Sequence, residues 1–288
     1  MAADILAARR GRTPLRWAHI RTVARTDLKQ LVQARDYWIP MLILGGIFFV
    51  FVPTVLLLTI TQIGDVSAVS QISQALEILP QKAQEQIQGD TDSGRAAYAL
   101  AVYLFAPVAV VVPITISTAV GAATIVGERE RGTGEFLAHS PAGIREIFYG
   151  KLAASLLPGY LTTIVGFGVY SLIVNTIVGP DVGGWFFPTR QWWILMLWVV
   201  PPFLALTLSL VLRLSAKVKS TAAAQQASAL VSLPLIMVAY SQATGSLYGG
   251  DALAWYIGAV AWVLAITALW RGVRVVTRAR LLGVADEQ

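Results

Sequence analysis

The sequence predicts an all-α integral membrane protein, with six membrane-crossing helices and an amphipathic interfacial helix ahead of them. Three observations lead there. Hydrophobic types make up 56% of the 288 residues and charged types 13%, whereas a soluble domain carries about 25% charged residues. Six stretches reach the roughly 20 apolar residues that a helix needs to cross the hydrocarbon core. The basic residues gather on alternate connecting segments, as the positive-inside rule requires. Disorder is excluded because it needs low hydrophobicity. With no cysteine, disulfides, thiolate metal sites and cysteine nucleophiles are excluded too.

The apolar stretches run over Trp38–Ile63, Tyr98–Val126, Leu152–Val178, Trp192–Leu212, Thr221–Ser241 and Ala252–Trp270, and none contains Asp, Glu, Lys or Arg. Arg213, Lys217 and Lys219 separate the fourth from the fifth. A continuous span there would bury charges at roughly 2.5–3.5 kcal/mol each at the bilayer centre. Segments 1–37, 127–151, 213–220 and 271–288 hold 19 of the 22 Lys and Arg residues, while Lys82, Arg95 and Arg190 lie on the other side. Both termini are therefore expected in the cytoplasm, in the inner (cytoplasmic) membrane of the cell. The net charge of +6 follows from this topology and is no sign of nucleic-acid binding. Met1–Tyr37 is arginine-rich without an apolar core, unlike a signal peptide.

Each segment has its own reading. Thr13–Arg35 reads as an amphipathic helix, with Thr13 as cap and Pro14 at the first helical position. Leu15, Ile20, Val23, Ala24, Leu28, Leu31 and Val32 recur at helical spacing, and Arg16, Arg21, Arg25 and Lys29 fall mostly elsewhere. Such a helix lies among the headgroups, its arginines towards anionic lipid. It is either a lever into the first span or a passive anchor. The glutamine-rich outer segment 64–97 keeps apolar 3–4 spacing at Val66, Val69, Ile72, Leu76 and Leu79, which predicts one or two short helices. These either cap a pathway or pack on the loops. Trp185, Phe186, Phe187, Trp192 and Trp193 are expected to mark the outer interface. Prolines interrupt five of the six stretches and predict kinks.

The inner segment 127–151 is the most informative. Four acids balance four bases there, which orientation alone would not require. Gly132 and Gly134 permit a sharp turn, and Ser140-Pro141 predicts a helix start. Phe136 and Leu137 then form an apolar knob rimmed by charge. That is the form of a protein-docking element, although a plain solvated loop is the other reading.

Catalysis or ion coupling within a membrane calls for buried ionisable groups, and the spans carry none. Gly150-Lys151 fails as a phosphate loop, since position 145 is Arg and 152 is Leu. The two histidines, His19 and His139, lie 120 residues apart in charged inner segments, so no metal site is expected. The chain is read as a non-enzyme.

The run Gly127-Glu128-Arg129-Glu130-Arg131-Gly132-Thr133, followed by Ser140-Pro141, Arg145-Glu146-Ile147 and Gly150-Lys151-Leu152, resembles the permease subunits of ABC-2 type transporters. There, Glu-Arg-Glu-x-Gly-Thr ends the second span and Gly-Lys opens the third. The match is close over about 25 residues, and the six spans extend it loosely to the rest. Gly134 departs from it, since leucine or a larger residue is usual at that place. The resemblance implies a type V exporter-like transmembrane domain and a division of labour. A separate cytoplasmic ATP-binding cassette ATPase would bind ATP and Mg, leaving this chain without a cofactor. Two permease chains, identical or homologous, would form the export path. Glu128, Arg129, Glu130, Arg131, Thr133, Phe136 and Leu137 would seat on the ATPase. The first, second and fifth spans would line the dimer interface, with Thr54, Thr115, Ser117, Gln225 and Ser228 as lining candidates. The uncharged spans suit a drug, lipid, peptide or lipid-linked glycan. A carrier or channel not driven by ATP is the rival reading; an adjacent gene for an ATP-binding cassette would separate the two.

Overall fold

The computed structural model describes residues 15–63, 66–77, 81–130, 139–215, 223, 226, 236–237 and 251–272, and the described residues are mostly helical, without strands. Helix α1 (Trp17–Gln33) ends at Ala34, whose extended backbone (φ −91°, ψ 99°) redirects the chain. The first membrane-length helix, α2 (Trp38–Gln62), follows almost at once. After it comes the short helix α3 (Val66–Glu77). Four further helices are long and apolar enough to span: α4 (Asp92–Ala122), α5 (Ile144–Ile177), α6 (Arg190–Leu214) and α7 (Ala254–Arg271). Five of the six expected spans thus coincide with described helices. The remaining one, Thr221–Ser241, lies almost wholly outside the described residues.

Burial divides these helices. In α4 and α6, 72% and 67% of the most apolar window is buried, against 22% in α2 and 17% in α7. The middle pair forms the core, and the outer pair turns its leucines, valines and aromatics outwards.

Four of the prolines, Pro53, Pro107, Pro201 and Pro202, act in a specific way, whereas Pro40, Pro113 and Pro158 lie inside regular helix. A proline ring collides with the carbonyl four residues earlier. Three widened, π-type turns contain that position: Ile47–Phe51 before Pro53, Leu100–Leu104 before Pro107, and Leu195–Val199 before Pro201 and Pro202. Each shifts its closing bond to the fifth residue back, as from the Phe105 N–H to the Leu100 carbonyl. Side chains complete the second of these turns. Tyr170 Oη donates to the Ala101 carbonyl at 2.8 Å and Trp192 Nε1 to that of Val102 at 2.9 Å. In a bilayer, where water cannot serve these groups, such compensation is required. A fourth widened turn, Thr59–Ile63, has no proline after it.

The aromatic residues of positions 185–193 depart from the expected belt. Trp185 and Trp193 are exposed, but Phe187 and Trp192 are fully buried. They pack with Phe167 and Tyr170 at ring-centroid distances of 5.0–5.9 Å. Asn175 explains the inward turn. Its Oδ1 accepts the backbone N–H groups of Phe186 and Phe187, both at 2.9 Å, and its Nδ2 donates to the Phe187 carbonyl at 2.6 Å. Beside this knot, Val69 and Ile72 of α3 pack onto the core, and Tyr103 Oη donates to the Ala83 carbonyl at 3.2 Å.

Candidate functional site: the joint between α1 and α5

Helix α5 begins at Ile144 with Gly143 as its cap, three residues later than Ser140-Pro141 predicts. The Ser140 hydroxyl is buried without a hydrogen-bond partner, so it does not cap. The capping group is Glu146, in the first turn. Its Oε2 reaches back to the Gly143 N–H at 2.9 Å. The other oxygen, Oε1, accepts the backbone N–H of Arg16 at 2.8 Å. Arg16 is the cap residue of α1, which has no side-chain cap of its own. Helix α1 correspondingly starts at Trp17 instead of Pro14. One carboxylate therefore caps two helices that lie 130 residues apart in sequence. His19 adds to it, with Nδ1 2.7 Å from Oε2. A carboxylate only accepts, so Nδ1 carries the proton.

The contact continues along both helices. A Cβ on Gly150 would stand 2.7 Å from Val23 Cβ and 3.1 Å from the Ile20 carbonyl oxygen. Only a residue without a side chain lets the helices approach this closely. At the next position, Lys151 is 1% exposed and its Nζ lies 3.4 Å from Asp27 Oδ2. A lysine is almost never so buried unless paired. Beneath it, Ile147, Phe148 and Leu152 pack with Leu208 and Leu212 of α6, and Val23 of α1 joins the cluster. The Gly150-Lys151 pair thus serves as the seat of α1.

Electrostatics agree with this geometry. Glu146 sits on the polar first turns of α5, ahead of the apolar stretch that begins at Leu152. The N–H of Arg16 first, and that of Gly143 next, hold its carboxyl down to about 2. A depressed carboxyl stabilises the fold above its ordinary value of 4.5, and that stabilisation is lost as pH falls towards 2. Between about pH 6 and 8, on the flat part of this dependence, Glu146 is ionised and the joint is closed. Glu146→Gln removes one acceptor and leaves a part-buried N–H facing an amide, at about 1 kcal/mol. We expect α1 to lift more often from α5. A cysteine introduced at buried Ala24 in this cysteine-free chain should then react severalfold faster with maleimide. Unchanged labelling would show that Glu146 does not hold the helix.

The residues expected from sequence are placed as follows. Glu128, Arg129 and Glu130 form the last turn of the helix that continues α4. Arg131, Thr133, Phe136 and Leu137 lie outside the described residues, as do Gln225 and Ser228. Thr54 is half-buried on α2. Thr115 is exposed and its hydroxyl donates to the Val111 carbonyl at 2.8 Å. Ser117 is fully buried, and a Cβ on Gly159 would collide with its Oγ. Thr115 and Ser117 therefore point to opposite sides of α4 and share no surface. Among the described residues no group of His, Asp and Glu is arranged to hold a metal.

Asp27 was missed by the sequence reading. Its signal is positional: it shares the apolar helical face of Ile20, Ala24 and Leu31, where a carboxylate needs a reason.

Among curated proteins, no match to the chain was found. A family model described as ABC-2 family transporter protein matches residues 21–252, from inside α1 to the start of α7. That span takes in the α5 side of the joint and the Glu128–Leu152 run, with Arg16, His19 and Ile20 just ahead of it, and a match over most of the chain's length means that the chain belongs to the ABC-2 family of transporter proteins.

Proposed function

We propose that this permease works as one of two membrane chains of an ATP-driven exporter, seated on a separate ATP-binding cassette ATPase. The observation that carries the reading is the shared carboxylate. Glu146 caps α5 where segment 127–151 ends, and it caps α1 where the lever begins. Closure of the ATPase dimer would push on Glu128–Leu137. The push would enter α5 at Ile144 and pass to α1 through Glu146 and the Lys151–Asp27 pair. From α1 it would reach α2 through the bend at Ala34. No span carries a charged residue at mid-depth, which suits an energy source outside the membrane. The charge asymmetry supports cytoplasmic termini, with the α3 segment outside.

The test has two arms. The purified chain alone should neither bind nor hydrolyse ATP, and ATPase activity should depend on a cassette partner. Phe136→Ala should weaken that partner by more than about tenfold, because truncating a packed aromatic anchor costs about 2 kcal/mol or more and each 1.4 kcal/mol is a decade. Glu128→Ala should act less, and its effect should shrink at high salt. Saturable nucleotide binding by the isolated chain would overturn the division of labour. Full partner affinity and transport in Phe136→Ala would move the docking site elsewhere.

A further inference from the structure

The amphipathic pattern of α1 suggests a helix that buries its apolar side in lipid. The structure does otherwise: Ile20, Ala24 and Asp27, the centre of that side, are turned onto α5. What faces away from the protein is a different surface. Arg21, Arg25 and Lys29 recur every fourth residue, all exposed, and step along the helix by about 6 Å. Among the described residues none of the three makes an ion pair with a carboxylate. The one acid of α1, Asp27, is directed to Lys151. On the helical wheel, Trp17 borders the basic ladder beside Arg21 and Val32 falls between Arg21 and Arg25, and they are 76% and 68% exposed. The depth of this surface is set by the chain itself. Only Ala34 separates α1 from the helix that carries α2, and α1 rests on the cytoplasmic turns of α5.

We propose that Arg21, Arg25 and Lys29 form a binding ladder for anionic phospholipid headgroups of the cytoplasmic leaflet, with Trp17 and Val32 dipping into the acyl boundary beside them. The phosphodiester is the recognised group. Its charge complements the ladder, and the apolar pair set at its edge and within it selects a lipid over a soluble anion. Each cation near an anionic surface raises local lipid occupancy by about fivefold at low salt. The lipid then presses α1 onto α5 from the face opposite Glu146 and Lys151. This inference concerns the permease alone and needs no ATPase.

The cysteine-free chain makes the test direct. Ala18 is exposed and lies between Arg25 and Lys29 on the helical wheel. Full-length Ala18→Cys, labelled with bimane, is reconstituted into phosphatidylcholine vesicles. Doxyl-labelled phosphatidylglycerol or doxyl-labelled phosphatidylcholine is added at equal mole fraction. We expect several-fold stronger quenching by the phosphatidylglycerol, lost at high salt. The preference should vanish in Arg21→Gln/Arg25→Gln/Lys29→Gln and persist in Arg21→Lys/Arg25→Lys. A bimane at exposed Leu264 of α7, quenched equally by both lipids, checks insertion. Equal quenching of the Ala18→Cys label by both lipids, or a preference unchanged in the triple variant, would overturn the proposal. So would the absence of quenching of that label by either lipid, which would place the ladder away from the membrane.

Discussion

Asn175→Leu is expected to cost about 3 kcal/mol or more of stability and to lower the melting temperature in detergent sharply. Leucine has the same number of side-chain heavy atoms and the same branching, so no cavity opens and packing is not what is lost. Two N–H groups, those of Phe186 and Phe187, lose their acceptor in a buried or half-buried place, at about 1–3 kcal/mol each. The Phe187 carbonyl keeps Ser171 Oγ at 3.2 Å and suffers less. Loss of the knot also frees Phe187, which fills the space between Phe167, Tyr170 and Trp192. Asn175→Asp retains an acceptor for both N–H groups but loses the donor and sets a carboxyl oxygen against the Phe187 carbonyl, so it should fall between wild type and Asn175→Leu. Thermal unfolding of the three proteins in one detergent decides the matter. Equal midpoints would mean that the Phe186–Phe187 turn is held by its aromatic packing alone.

Asp27→Ala should be comparably severe at the other end of the molecule, and it should affect coupling as well as stability. It removes a carboxylate from beside Lys151, an ammonium that is 1% exposed. Breaking a buried pair from one side costs about 3–5 kcal/mol, whereas replacing both partners by apolar residues of similar volume is often neutral. The double variant Asp27→Leu/Lys151→Met should therefore regain most of the stability. Retained stability makes the double variant the informative one for function. If the pair transmits force between α5 and α1, its transport per ATP hydrolysed stays low although the protein is folded. If the pair only holds the helices together, transport returns with stability, and the coupling route proposed above loses this step. Purified complexes in vesicles, assayed for ATP turnover and transport together, separate the outcomes.

Membrane class, the limits of most spans and the family were legible in the sequence because each rests on a one-dimensional quantity. The length of an apolar run is set by bilayer thickness, and the Glu128–Leu152 run is a local pattern. Boundaries at the polar ends were less legible. Thr13-Pro14 and Ser140-Pro141 have the chemistry of helix starts, yet the helices begin at Trp17 and Ile144. Glu146, from a distant segment in one case and from the first turn in the other, supplies the cap that local chemistry was expected to provide. Which aromatics meet the interface was likewise not a matter of residue type. Trp185 and Trp193 do, while Phe187 and Trp192 are drawn inside by Asn175 and by the Val102 carbonyl.

By itself, then, the sequence determined that the chain crosses a membrane, where most of its helices run and which family it joins. Hydrophobic transfer and charge placement act residue by residue along the chain, so they can be read without coordinates. The tertiary structure alone decided which polar groups meet. Glu146 with Arg16, Lys151 with Asp27 and Asn175 with Phe187 are pairings across 130, 124 and 12 residues. A buried donor or acceptor is costly to leave unpaired, and which partner it finds is fixed by how the helices pack.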